Sequence, residues 1–256
     1  MTRTPHPPRK RILITGASSG LGAELARRYA AGGRDLALCA RRADLLDALR
    51  AELLAANPAI TVTVHPLDVT DDAAVGTTFE AAAAAHGGLD RVIANAGIGK
   101  GAAIGTGRSQ VNLDTARTNV LGTLSQAEAA LSIFRRQTYG HLVLVSSISA
   151  DRGLPGKAAA YSASKAAVSA LGEALATELR GSAIAVTTLV PGYIATELSA
   201  AAGASRALTA SLDQGVSAMV TAIEREPARA ALPGFRWRVI DTVLRHAPHR
   251  LTDRMV

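Results

Sequence analysis

The chain has 256 residues, 48% hydrophobic, 19% charged and 3% aromatic, which suits one folded α/β domain and excludes a disordered protein or a surface of stacked rings. The net charge of +7 is terminal, with +4 in residues 1–11 and +4 in residues 228–256, so the near-neutral body offers no basic stripe for nucleic acid. The single cysteine, Cys39, excludes an internal disulfide, and no apolar run approaches the roughly 20 residues that span a bilayer, so a cytoplasmic location is expected.

Residues 1–10 are basic and Pro-rich and read as a loose tail, without the apolar stretch of a signal peptide. Arg11 to Thr15 is the first strand-like run. Further runs rich in Ile, Val and Leu follow at 36–40, 60–68, 91–95, 141–147 and 183–190. Good helix formers fill the stretches at about 20–31, 42–56, 71–86, 109–135 and 157–180. Strands this uniformly apolar suit a parallel sheet covered on both faces, and right-handed crossovers then give a doubly wound, three-layer α/β/α sandwich. With no internal repeat and no long polar linker, residues 11–256 form a single domain, in which everything after Pro191 is an insertion and tail.

Between the first strand and the first helix stands Thr15-Gly16-Ala17-Ser18-Ser19-Gly20-Leu21-Gly22. Glycines there let the backbone turn sharply and approach a pyrophosphate, while the free N–H groups at the helix start hold anionic oxygens. Ser18 and Ser19 add hydroxyl donors. The tip of the second strand reads Cys39-Ala40-Arg41-Arg42 and carries no acid to bind ribose hydroxyls. Arg41, with Arg42 as second candidate, offers a planar cationic fork for an extra phosphate, so NADP(H) is preferred over NAD(H).

In Tyr161-Ser162-Ala163-Ser164-Lys165 a spacing of four sets the phenol and the ammonium on one helix face. A phenol with an ordinary pKa of about 10 is a poor acid or base near neutrality, and a nearby cation brings it down.

These motifs, together with Asp68-Val69, Asn95-Ala96-Gly97, Asn119, Ser146-Ser147 and Pro191-Gly192-Tyr193-Ile194-Ala195-Thr196, resemble the classical short-chain dehydrogenase/reductase family over roughly residues 11–197. The resemblance implies a Rossmann-type fold with a seven-stranded sheet, a nicotinamide cofactor, and interconversion of a hydroxyl and a carbonyl. It implies that Tyr161 is the general acid or base, and that Lys165 holds the nicotinamide ribose and lowers the Tyr161 pKa. Asn119 would organise a water relay behind Lys165, and Ser147 would donate to the substrate oxygen. Ser147 stands fourteen residues before Tyr161, one more than the family's commonest spacing, so Ser146 and Ser149 are rivals for that role. Asp68 and Val69 are expected at the adenine, Asn95, Ala96 and Gly97 beside the ribose, and Pro191, Gly192, Ile194 and Thr196 around the carboxamide. No metal site is expected.

The substrate is a small or lipophilic carbonyl compound or alcohol, because residues 198–210 are small and apolar and read as part of a lid near 197–215. Residues 234–245 mix Trp237 with cations and aliphatics at helical spacing, which suits packing on the domain or, alternatively, peripheral membrane contact. The resemblance further implies a homodimer or homotetramer built on the helices near 109–135 and 157–180. Two readings from other classes are a non-catalytic NADP(H)-binding sensor or scaffold and a membrane-surface lipid-binding module. The first leaves the Tyr–Lys pair without a purpose, and the second leaves the Gly-rich turn unexplained as well.

Overall fold

Alternation along the first strand already defines two covered faces. In the computed structural model, which describes residues 9–196, Ser199 and 209–247, Ile12 and Ile14 are buried on one side and Leu13 on the other. The strands are β1 (Arg11–Thr15), β2 (Asp35–Ala40), β3 (Val62–Pro66), β4 (Arg91–Ala94), β5 (Gly140–Val145), β6 (Ile184–Pro191) and β7 (Arg229–Leu232). All pair in parallel in the order β3-β2-β1-β4-β5-β6-β7. The Rossmann-type doubly wound sheet is therefore present, and its strand order reverses between β1 and β4, where a crevice opens at the carboxyl ends.

Helices α1 (Gly20–Ala31), α2 (Ala43–Ala56) and α7 (Leu212–Arg225) belong with the face of Ile12 and Ile14, where Leu25, Leu46 and Met219 are buried. Helices α3 (Asp72–His86), α5 (Gly122–Gln137) and α6 (Ala159–Glu178) cover the other face with Phe79, Phe134 and Val168. The helix expected over 109–135 is divided into α4 (Ser109–Ala116), a π-helical turn at Arg117–Leu121 and α5. α8 (Gly234–His246) closes the described chain. Among the described residues no helix is long and apolar enough to cross a membrane.

Two expectations change. The tail expected over 1–10 already has fixed residues at its end: Arg9 is 3% exposed and pairs with Glu226 at 2.9 Å, and Lys10 donates its N–H to Asp90 at 2.8 Å. Residues 1–8 lie outside the described residues. The stretch after Pro191 contributes the edge strand β7, whose four residues, Arg-Ala-Ala-Leu, are too short and too poor in β-branched side chains to announce a strand.

At the end of the sheet opposite the crevice, Arg91 is 1% exposed and bonds Glu224 at 2.5 Å, with Glu226 at 3.6 Å and the Tyr29 ring beneath its guanidinium. Its Nε donates to His141 Nδ1 at 2.9 Å. An accepting Nδ1 leaves the proton on Nε2, which donates to Thr187 at 2.9 Å.

Candidate active site

The crevice is held open by bonds between the ends of β1 and β4. Thr15 donates its hydroxyl to Gln126 at 2.7 Å and accepts the N–H groups of Asn95 and Ala96, while Asn95 donates its amide to the Thr15 carbonyl at 2.9 Å. Gly16 then turns at φ +64°, and a Cβ on Gly22 would stand 2.3 Å from the Gly16 carbonyl oxygen, so the turn tolerates only glycine at these places. No side chain caps α1 at Ser19, which leaves its first N–H groups for an anion.

Arg42, at the start of α2, reaches across to this turn and donates to Ser18 at 3.0 Å and Ser19 at 2.8 Å. Arg41 is exposed and lies 3.8 Å from Asp68. Of the two candidates the second is thus the one drawn onto the Gly-rich turn. Asp68 accepts from Thr70, and Asp71 rather than Asp68 caps α3 through the Ala74 N–H at 3.0 Å. Val69 is buried, with its carbonyl against Gly122.

On the other side of the crevice, α6 carries Tyr161 and Lys165. Burial raises the Tyr161 pKa above the ordinary phenol range, opposed by a hydrogen bond with Ser147, while Tyr193 adds a smaller push upward. Burial, Ser147 and Tyr193 are the groups that set this shift, and the lowering expected from Lys165 is not among them. Lys165 donates Nζ to the Val145 carbonyl at 2.8 Å, and burial lowers its pKa to about 8. Gly97 sits over both Lys165 Nζ and Asn119 Oδ1, so that a Cβ there would lie 3.3 and 3.1 Å from them. Asn119, in the π-helical turn, accepts the Ile98 N–H at 2.9 Å and donates to the Ile98 carbonyl and to Ser164. Irregular turns of this kind are often found at functional sites.

The three serines separate by their bonds. Ser146 spends its hydroxyl on the Lys165 carbonyl and Ser169, Ser149 donates its N–H to Ser147 Oγ, and Ser147 is the serine whose hydrogen bond acts on Tyr161. Pro191 ends β6, and Gly192 lies beneath the Trp237 ring. Ile194 points into the core against Gly215, which leaves only its backbone for any ligand. Thr196 lies close to Gly20 and bonds Ser199. The lid residues 197, 198 and 200–208 lie outside the described residues. Thr15, Ser164 and Tyr193 each stand inside a motif quoted above but were given no role of their own there.

A strand-order crevice with a Gly-rich turn on one side and a Tyr–Lys–Ser–Asn cluster on the other defines a dinucleotide-linked oxidoreductase site. Residues 10–207 match the short chain dehydrogenase family. The chain is 50% identical to an uncharacterised oxidoreductase of Mycobacterium tuberculosis over 96% of its own length and 97% of the relative's. It superimposes on a short-chain dehydrogenase from Streptomyces avermitilis with a TM-score of 0.79 at 29% identity, covering 97% and 95% of the two chains. An alcohol dehydrogenase from Thermococcus sibiricus, solved in complex with 5-hydroxy-NADP, gives a TM-score of 0.76 at 25% identity over 88% and 99%. The chain belongs to the short-chain dehydrogenase/reductase family, whose members are oxidoreductases that bind nicotinamide cofactors and act on small-molecule CH–OH groups.

Proposed function

We propose that the protein is an NADP(H)-dependent oxidoreductase that interconverts a carbonyl and a primary or secondary alcohol on a small or lipophilic substrate. The observation that carries the reading is the convergence of Tyr161 with Ser147, and of Lys165 with Gly97 and Asn119, beside the Gly-rich turn. The residues fit a dinucleotide: the uncapped start of α1 and the close approach at Gly16 and Gly22 suit a pyrophosphate, and Lys165 beside Gly97 suits a ribose.

A bound nicotinamide supplies the hydride. Ser147 donates a hydrogen bond to the carbonyl oxygen, where negative charge develops. Tyr161, kept protonated by burial, gives its proton to that oxygen, and in the reverse direction takes it back from the hydroxyl. Lys165, with a pKa of about 8, is largely cationic at neutral pH and favours the phenolate as the proton leaves. Asn119, tied to Ile98 and Ser164, holds the wall behind Lys165 and orders the water relay there.

The preference for NADP(H) rests on the two arginines at the tip of β2. Charge-assisted hydrogen bonds of this kind contribute about 1.5–3 kcal/mol, so Arg42→Glu is expected to raise the KM for NADPH at least about tenfold and to spare NADH. Equal loss with both cofactors removes the assignment. Asp68, Val69, Asn95, Ala96, Pro191 and Thr196 complete the cofactor's surroundings in this reading.

The reaction itself is tested by following NADPH absorbance with a panel of ketones and aldehydes, and turnover of at least one is the expected result. Tight NADPH binding with no turnover across the panel would favour the sensor reading. A homodimer or homotetramer through 109–135 and 157–180 is supported by Leu113, Leu121 and Leu124, which stand exposed on that side.

A further inference from the structure

The turn that follows Ser147 is tied to the C-terminal helix by charges that the mechanism does not use. Ser147 begins a short 3-10 turn in which the Ala150 N–H bonds the Ser147 carbonyl and the Asp151 N–H bonds the Ile148 carbonyl. Asp151 then meets Arg229 of β7 at 2.6 Å, and the same guanidinium nitrogen bonds Asp241 of α8 at 2.5 Å. Arg152 donates to the Leu244 and Ala247 carbonyls at the end of α8. Among the described residues, Asp151 Oδ2, Arg152 Nε and Arg229 Nε are buried without a hydrogen-bond partner, so the cluster is short of partners where it is most enclosed.

What this cluster holds in place is the wall of the substrate side. α8 turns Trp237, Ile240 and Leu244 inward onto Ile148, Val190 and Tyr193. The Trp237 ring covers Gly192 and meets Tyr193 edge to face at 5.7 Å, and Tyr193 in turn acts on Tyr161.

We propose that Arg229 is a positioning residue: by holding Asp151 and Asp241 on one nitrogen, it locks α8 against the turn that carries Ser147 and so sets the carbonyl subsite, away from the Gly-rich turn at the pyrophosphate end. The inference rests on the reading of Ser147 and Tyr161 given above. Two carboxylates on one cation also make the lock sensitive to pH. Burial, with the Asp241 carboxylate adding to it against the pull of Arg229, raises the Asp151 pKa to about 7. The groups around it are Arg229 from β7, Asp241 from α8 and Arg152 from its own turn, with Glu173 of α6 and Arg245 of α8 on the groove that Arg229 also lines. Because the folded pKa lies above the ordinary carboxylate value, the fold holds a proton on Asp151 over a range where the unfolded chain has released it. The lock is therefore firm in acid and loosens as pH rises through about 7.

Trp237 is the only tryptophan in the chain, so its emission reports α8 docking without any turnover. Arg229→Met is expected to shift that emission to the red and to raise the KM for a carbonyl substrate at least about tenfold. The NADPH dissociation constant should rise much less than that KM, and kcat should fall, because Ser147 acts on the charge that develops in the transition state. In the parent the emission should shift to the red as pH rises through about 7, and Asp241→Asn should move that transition to lower pH, since burial still raises Asp151 while the neighbouring carboxylate no longer does. A histidine titration would stay in place in the variant.

Unchanged emission and KM in Arg229→Met overturn the proposal, as does an equal loss of NADPH affinity, or a transition near pH 7 that is unmoved in Asp241→Asn. Should Arg229→Met fail to fold, the pH profile of Asp241→Asn decides, since that change preserves volume. A parent that binds NADPH and reduces no carbonyl removes the proposed function, and the lock is then judged on the emission profile alone.

Discussion

Replacing Tyr161 by Phe is expected to lower kcat for carbonyl reduction about a thousandfold while leaving NADPH affinity near that of the parent. The change removes one hydroxyl and little volume, so the helix and the packing around it persist. It takes away the hydroxyl that bonds Ser147 and that, in the proposed reaction, supplies a proton to the forming alkoxide. A loss of that size corresponds to about 4 kcal/mol of transition-state stabilisation, within what positioned acid catalysis contributes. Burial keeps the parent phenol protonated through neutrality, so the reduction rate should hold across the neutral range rather than fall with a phenol titrating below it. Steady-state kinetics of the parent and Tyr161→Phe, on a carbonyl found in the panel, settle the matter. A variant that retains a tenth of the parental kcat assigns the proton to another group.

Arg91→Met should cost about 3 kcal/mol of folding stability, read by denaturant titration, and lower Tm by roughly 6–12 °C without altering kcat. Removing one partner from a buried ionic network leaves the others uncompensated, which usually costs more than the pair contributed. The lower end of that range applies because Glu224 is 38% exposed and recovers water, and because Glu226 keeps Arg9 at 2.9 Å. The His141 ring, sealed between β4 and β6, loses the Arg91 N–H that its Nδ1 accepts and keeps Glu226 at 3.5 Å. Arg91 lies at the amino end of β4, a strand's length from the crevice at its carboxyl end, so activity at low temperature should be spared. A loss below about 1 kcal/mol would mean that the network is stabilised chiefly by groups other than Arg91.

Much of the site was legible because its groups are close along the chain. Tyr161 and Lys165 lie one helical turn apart, and the Gly-rich turn occupies one strand-to-helix junction, so local spacing was enough to bring each set together. Ser147 was the sequence's choice over Ser146 and Ser149, but the bond that occupies Ser146 was not legible, since the Lys165 carbonyl that its hydroxyl meets comes from a different element. The same holds for the bonds of Arg42, drawn to Ser18 and Ser19 from the start of α2, and of Asn119, delivered to Ile98 by a π-helical turn that periodicity does not announce.

Apolar periodicity and glycine placement alone determined the alternating α/β order, the parallel sheet covered on both faces, and the crevice motif, because burial on two faces and a tight turn each leave a local trace. Only the tertiary structure decided the edge strand β7, the Arg91 network, and the lock in which Arg229 joins Asp151 to Asp241 across 78 and 12 residues. Those depend on which side chains meet once the sheet has ordered its strands, and two charges that pair only after folding look in the sequence like any other solvated residues.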